Sequence, residues 1–170
     1  SLLWVLDKTK TAMGARTLRT YIEQPLINSD DINKRQDAIE ALLDNTVDRD
    51  EIREYLNAIY DLERLLTKIS YHSANPRDLI AFKTSLSMLP HIKNILGMFH
   101  CPLLQDIYNE IDGLADITEL IDSAIIDDPP LSSKEGGFIK DGYDENIDML
   151  RKSKTEGKQW LYNLENEEKE

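Results

Sequence analysis

Apolar side chains recur at spacings of three and four along nearly the whole chain, and strict alternation of apolar and polar positions is almost absent. The three-four spacing places apolar residues on one face of an α-helix, whereas alternation is typical of strands. We therefore predict an all-α fold, an irregular multi-helix bundle. The predicted helices cover residues 1–10, 12–24, 30–45, 48–71, 76–88, 91–99, 102–113 and 114–126.

Capping residues and prolines set several of these predicted boundaries. Thr11 and Asn75 each precede a helical segment, where a short polar side chain accepts a hydrogen bond from the first free N–H groups. The helix over 12–24 ends before Pro25, because the residue that precedes a proline avoids helical angles. Pro90 and Pro102 are each predicted to begin a new helix, since proline is favoured in the first turn.

Two predicted helices carry defined apolar faces. In the first segment, we expect Leu2, Leu3, Trp4 and Leu6 to face inward. The helix over 48–71 has one apolar seam along its whole length. Its members are Ile52, Tyr55, Ile59, Leu62, Leu66 and Ile69.

The helical pattern stops at residue 127. The segment 127–143, DDPPLSSKEGGFIKDGY, has two prolines and three glycines, which favour a loop or a short hairpin turning at 136–137. From about Asp144 one polar helix follows, long enough to reach roughly 40 Å at 1.5 Å per residue. Its sparse apolar stripe comprises Ile147, Leu150, Trp160, Leu161 and Leu164. We therefore predict a helical core over 1–143 and a protruding C-terminal helix, the arm, over 144–170.

The chain of 170 residues has a net charge of −12. Nucleic-acid affinity depends mainly on cationic contacts with phosphates, so we expect no DNA binding by this chain alone. No apolar run approaches the roughly 20 residues that a membrane span needs, and the single cysteine, Cys101, fits a reducing cytoplasm. The chain begins without methionine and ends within a helical pattern, so we expect a piece of a longer protein.

Few residues form patterns that support catalysis or metal binding. The Gly-Gly pair at 136–137 lacks the Lys-Ser/Thr pair of a Walker motif. His100 and Cys101 are adjacent, but there is no second cysteine and the other histidines lack ligand spacing, so a connector between helices is favoured over a zinc site. We predict no catalytic, cofactor or metal site, and no enzymatic activity.

Two groups of acidic residues have structural and catalytic interpretations. For Asp61, Glu63 and Arg64 we favour a structural ion pair that locks helices, with Arg64 reaching across to a neighbouring helix, over a paired-carboxylate active site. Asp127 and Asp128 are expected to close a helix or brace the loop. A magnesium-dependent enzyme at these two aspartates is the less favoured alternative.

Four segments, in order, resemble the core domain of the bacterial MutS family, domain III, with the first part of its lever. They are SLLWVLDKTKTAMGARTLRTYIEQPL, INKRQDAIEAL, DLERLLTKISYHSANPRDL, and AIIDDPP with GGFIKDGYDENIDMLR. Order and spacing agree from residue 1 to residue 170. Four such motifs in order are far more specific than one.

The resemblance implies a structural and allosteric fragment of a DNA mismatch-repair protein, which couples an ATPase to a DNA clamp. It implies that ATP and Mg belong to the full-length protein, that mismatched DNA is contacted only through other domains, and that the parent is a cytoplasmic homodimer. The ATPase and clamp domains of the same chain would be its partners. Candidate transmission residues are Arg16, Asp61, Glu63, Arg64 and Tyr143.

An alternative from another class is an independent helical protein-interaction module that binds a partner in a groove. The resemblance also implies that the arm, 144–170, pairs with a returning lever helix. Without that helix, we expect the arm to fray or to pair with a second copy.

Overall fold

The computed structural model describes residues 2–167, without the side chains of 162–164, 166 and 167. Within this range the elements are helices joined by loops, which confirms the all-α prediction. The helices are α1 (Leu2–Leu6), α2 (Ala12–Glu23), α3 (Ser29–Asp44), α4 (Thr46–Asn57), α5 (Leu62–Ser70), α6 (Pro76–Leu96), α7 (Pro102–Glu110), α8 (Ala115–Ala124) and α9 (Glu145–Glu167). The predicted stripe position Leu164 lies outside the described side chains.

Helix α6 is the centre of the fold and packs against α4, α5, α7 and α8. Its two halves enter two separate apolar clusters, and each well-buried side chain there contributes about 1.5–3 kcal/mol. The first cluster comprises Ala38, Ile59, Ile92, Ile95, Leu96, Phe99 and Leu104. The second, called the α8 cluster below, comprises Leu65, Phe82, Leu86, Ile121, Ala124 and Ile125.

The prediction that Pro90 begins a new helix is wrong, because α6 continues through it to Leu96. An interior proline removes one backbone hydrogen bond and costs about 3 kcal/mol or more. Here Leu86 is buried on one side of Pro90 and Ile92 on the other. Burial of both halves of α6 therefore outweighs the cost of the proline.

The predicted single helix over 48–71 is also wrong: α4 and α5 are separated by residues 58–61. Ile59 is buried in the first cluster, whereas Leu65 of α5 is buried in the α8 cluster. Leu66, predicted to continue the seam, is 50% exposed. Asp61 caps α5 by accepting a hydrogen bond from the Arg64 N–H at 3.4 Å, so a new helix begins after the turn.

Helix α1 differs from its predicted orientation. The side chains of Leu2, Trp4 and Leu6 are 64%, 79% and 48% exposed, and Leu3 is half-buried. Since α1 has five residues and packs mainly against α2, it has little surface with which to cover an apolar face. The inward orientation predicted for Leu2, Trp4 and Leu6 is therefore wrong.

The segment between α8 and α9 folds back on the end of α8. Ile125 and Ile139 form an isolated antiparallel bridge, with hydrogen bonds from the Ile126 N–H to the Phe138 carbonyl (3.0 Å) and from the Lys140 N–H to the Ala124 carbonyl (2.8 Å). Backbone bonds therefore attach this loop to the body. Within residues 2–167, no helix is long and apolar enough to cross a membrane.

Candidate functional site

The Arg16 site is an ion-pair cluster that joins α2 to the start of α5. The two terminal nitrogens of Arg16 donate to the two carboxylate oxygens of Asp61 at 2.9 and 2.7 Å, and Nη2 also donates to Glu63 at 2.5 Å. The planar guanidinium matches a carboxylate in this two-bond geometry. These charge-assisted bonds connect segments that are 45 residues apart in sequence.

Local sequence explains why these side chains meet. Thr11 caps α2 by accepting a hydrogen bond from the Gly14 N–H at 2.9 Å. The cap fixes where the helix begins and therefore where Arg16 lies on it. Asp61 is the N-cap of α5, and its carboxylate accepts from the Arg64 N–H at 3.4 Å. The same carboxylate therefore starts a helix and receives Arg16.

The connection between α4 and α5 is held from a second side by α6. The Tyr60 N–H donates to the Ser85 hydroxyl at 2.9 Å, and that hydroxyl donates to the Ala81 carbonyl at 2.8 Å. The Ser85 side chain is fully buried, at 0% exposure. Arg16 of α2 and Ser85 of α6 thus fix the same short connection from two directions.

The charges of the cluster shift its protonation equilibria. The hydrogen bond from Arg16 holds the pKa of Asp61 below its ordinary value of 3.8, against the opposing effect of desolvation. Hydrogen bonds to Asp61 and then to Glu63 raise the pKa of Arg16. Both groups are therefore charged at neutral pH. The Asp61 side chain is 16% exposed and Arg16 is 42% exposed, so solvent screens the pair only in part.

The structure brings Arg16, Asp61 and Glu63 together, but it places the other two predicted residues differently. Arg64 is 81% exposed and pairs with Asp61 of its own segment at 3.3 Å. Arg16, not Arg64, thus makes the contact between helices. Tyr143 lies outside the cluster, 45% exposed beside the start of α9, with its N–H 3.4 Å from the Lys140 carbonyl.

A second network of charged side chains joins α6 to α8, and the sequence analysis did not predict it. Lys83 of α6 pairs with Asp122 of α8 at 2.9 Å and with Asp127 at 3.4 Å, while Lys140 approaches Asp122 at 4.0 Å. Asp122 is the main cause of the raised pKa of Lys83, and Lys83 likewise lowers the pKa of Asp122. A sequence signal existed, since Lys83 interrupts the apolar run LIAFKTSL of a buried helix.

The loop aspartates contact cations of α6. Asp127 pairs with Lys83, and Asp128 lies 3.5 Å from Arg77. Both aspartates are largely exposed, at 84% and 96% of their side chains. Within residues 2–167, no group of three or more His, Cys, Asp or Glu side chains is placed to hold a metal ion.

We predict that Asp61→Asn lowers the free energy of unfolding by about 0.5–1 kcal/mol near neutral pH, because asparagine keeps the helix cap but loses the ion pair. The folded-state pKa of Asp61 lies below 3.8, so this stabilisation is complete above that value. It disappears as the pH falls through the folded-state pKa. Urea unfolding followed by circular dichroism across this pH range measures the difference.

Asp37→Asn is the matched control for the Asp61 experiment, since it removes the same charge from an exposed position of α3. We expect it to change the stability little at any pH. A difference between wild type and Asp61→Asn that stays constant down to about pH 2 would contradict the assignment of the stabilisation to a charged Asp61.

Comparisons with known proteins agree over the whole chain. A family model described as MutS domain III matches residues 1–170. The DNA mismatch repair protein MutS of Lachnoclostridium phytofermentans is 63% identical across the full chain, which covers 18% of that protein. The MutS proteins of Caldanaerobacter subterraneus and Acetivibrio thermocellus are 54% and 51% identical across the full chain, which covers 20% of each. The chain thus spans about a fifth of the length of these curated relatives.

Proposed function

The chain belongs to the MutS family, as its domain III, and we propose that it is a non-catalytic coupling element of a DNA mismatch-repair protein. In this proposal the helical body receives a change of state from an ATPase and passes it along the arm to a DNA clamp. The body itself reads no mismatch and hydrolyses no nucleotide.

The observation that carries this proposal is the contrast between body and arm. Helix α6 and its neighbours enclose two apolar clusters, whereas every side chain of α9 from Lys152 to Leu161 is exposed. A rigid body that continues into an exposed helix can pass a rotation at its base to a distant end. The ion pairs of the Arg16 site join separate helices, so they are contacts that two states of the body could make differently.

The rest of the proposal concerns the full-length protein. There ATP and Mg would bind outside this segment, because the Gly-Gly turn at 136–137 lacks the Lys-Ser/Thr pair that a phosphate loop requires. Mismatched DNA would likewise be held by other domains, consistent with the net charge of −12 here. We propose a cytoplasmic homodimer as the working form, with a core over 1–143 and a lever beginning at 144.

We expect Arg16→Ala to weaken coupling in a full-length MutS protein that carries this segment as its domain III. ATP should accelerate the release of a G·T-mismatched duplex, and this acceleration should be about fivefold smaller in Arg16→Ala than in the unsubstituted protein. A factor of about five lies at the low end of typical coupling energies. ATP affinity without DNA should be unchanged, since the substitution lies outside the proposed nucleotide site. Stopped-flow fluorescence anisotropy of a labelled duplex measures the response.

Arg19→Ala is the control for this experiment, because Arg19 is exposed on the same helix α2 and its loss removes the same charge. Its response to ATP should equal that of the unsubstituted protein. An Arg16→Ala protein that releases the duplex on ATP as fast as the control would contradict coupling through the Arg16 site.

A second candidate function is a helical interaction module, favoured by an apolar groove between α3 and α4. Its apolar lining comprises Ile39, Leu42, Leu43, Ile52, Leu56 and Leu96. Leu43 is 57% exposed there, so Leu43→Asp would block a partner without opening the core. In the same assay a coupling element keeps its ATP response with this substitution, whereas a module that acts through the groove loses it.

A further inference from the structure

The base of α9 is held by side chains from both of its first two turns. Asp144 accepts hydrogen bonds from the Asn146 and Ile147 N–H groups at 2.9 and 3.0 Å, which starts the helix. Asp148, one turn later, accepts from the Gly142 N–H at 2.8 Å. These contacts fix where α9 begins, but they involve only residues next to it in the chain.

Arg151 makes the longer contact. Its Nη2 donates to the Ile139 carbonyl at 2.7 Å, and its Nη1 pairs with Asp141 and lies 3.7 Å from Asp148. Ile139 is the residue bridged to Ile125, which is 5% exposed in the α8 cluster. Arg151 thus links the second turn of α9 to the backbone point at which the loop meets the core.

The body holds the other end of the same loop with a similar contact. Arg77 of α6 donates to the Pro129 carbonyl at 2.8 Å, and Pro129 is almost fully buried. Lys140 approaches Asp122 of α8, which itself pairs with Lys83 of α6. The loop is therefore attached to α6 and α8 on one side and to α9 on the other.

We propose that Arg151 is the positioning residue that fixes the direction of α9 relative to the body. Beyond Arg151, each side chain from Lys152 to Leu161 is exposed, so the contacts that orient the helix are concentrated at its base. The Arg151 side chain is 32% exposed, between the buried bridge and the exposed Asp141. Its role in transmission rests on the proposed function, whereas the fixed direction of the helix does not.

The geometry requires arginine rather than any cation. A guanidinium carries five N–H donors in a planar fork, so one group can donate to a backbone carbonyl and pair with two carboxylates at once. A lysine ammonium at position 151 would keep the charge beside Asp141 and Asp148 but would not span the distance to both partners in the same way. Arg151→Lys therefore keeps the positive charge but removes the simultaneous contacts with the carbonyl and the carboxylates.

A distance measurement between body and arm tests the proposal on the 170-residue chain. In a Cys101→Ser background, cysteines replace Glu119 of α8 and Lys158 of α9, which are both exposed. Spin labels on these cysteines report the distribution of distances between the two helices by pulsed electron spin resonance. We expect a narrower distance distribution with Arg151 present than in its absence, because the fraying expected of the arm adds the same breadth to every variant. Arg151→Ala should broaden it about twofold, since the contacts of Asp144 and Asp148 at the base involve only residues next to α9 in the chain. Arg151→Lys should broaden it nearly as much.

Lys152→Ala is the matched control, because it removes the same charge from the next, exposed position of α9. Its distribution should match that of the unsubstituted chain. Dilution of labelled chain with unlabelled chain removes distances between two copies. Asp141→Asn gives a second test, since Asp141 is 91% exposed on the loop and its loss cannot unfold the core. It should broaden the distribution less than Arg151→Ala.

An Arg151→Ala distribution as narrow as that of Lys152→Ala would overturn the proposal. An equal broadening in Arg151→Ala and in Lys152→Ala would also overturn it, because the loss of one positive charge would then explain the effect. The measurement involves neither nucleotide nor DNA, so its failure leaves the proposed coupling function standing. Conversely, a full-length protein without the predicted ATP response would refute the coupling function and leave the orienting role of Arg151 intact.

Discussion

Leu86→Ala should lower the free energy of unfolding by about 3–5 kcal/mol, the range for a buried leucine whose cavity cannot collapse. Leu86 is 2% exposed and lies in the α8 cluster with Leu65 of α5 and Ile121 of α8. Truncation would therefore leave a void where three helices meet. Such a loss is a large part of the about 5–15 kcal/mol that holds an ordinary domain folded.

Urea unfolding followed by far-ultraviolet circular dichroism measures this loss, and Leu66→Ala is the matched control. Leu66 is 50% exposed on the neighbouring helix α5, so its truncation should cost less than about 1 kcal/mol. Equal losses for Leu86→Ala and Leu66→Ala would contradict the placement of α6 at the centre of the fold. They would instead support the predicted seam through Leu66.

The sequence pattern predicted helices α2, α3 and α7 well, because each covers one periodic segment with a clear start. It failed at Pro90, since a local rule places proline at a helix start and only tertiary burial on both sides keeps α6 continuous. It also failed at residues 58–61, because a regular three-four spacing continues across a turn that directs Ile59 and Leu65 into different clusters. Both failures have one cause: which cluster a side chain enters depends on partners far away in sequence.

The candidate site was predicted in its acidic half. The spacing in DLERLL indicated an ion pair at Asp61 and Glu63. It assigned the contact between helices to Arg64, which is wrong, because Arg16 makes that contact. Arg151 had a weaker signal, since Asp148 lies one turn before it. Its bond to the Ile139 carbonyl depends on how the loop folds, which glycine and proline content alone does not fix.

Ser85→Ala should lower the free energy of unfolding by about 1–3 kcal/mol, because it leaves the part-buried Tyr60 N–H without its acceptor. The hydroxyl at position 85 is fully buried and donates in turn to the Ala81 carbonyl, so no solvent replaces it directly. The loss should be local as well as global. Hydrogen exchange of the Tyr60 amide should become about tenfold faster, since 1.4 kcal/mol corresponds to a factor of ten.

Ser87→Ala separates this bond from the general effect of removing a helical serine. The Ser87 hydroxyl donates to the Thr84 carbonyl at 2.8 Å, and Ser87 is half-buried. Ser87→Ala therefore removes a hydroxyl donor, as Ser85→Ala does, but leaves the acceptor of the Tyr60 N–H in place. We expect little change in stability and no change in the exchange of Tyr60. If Ser85→Ala matched this control in both measurements, the turn between α4 and α5 would depend on Arg16 and on the burial of Ile59 alone. The attachment of that turn to α6 would then contribute nothing to the rigidity that the proposed coupling function needs.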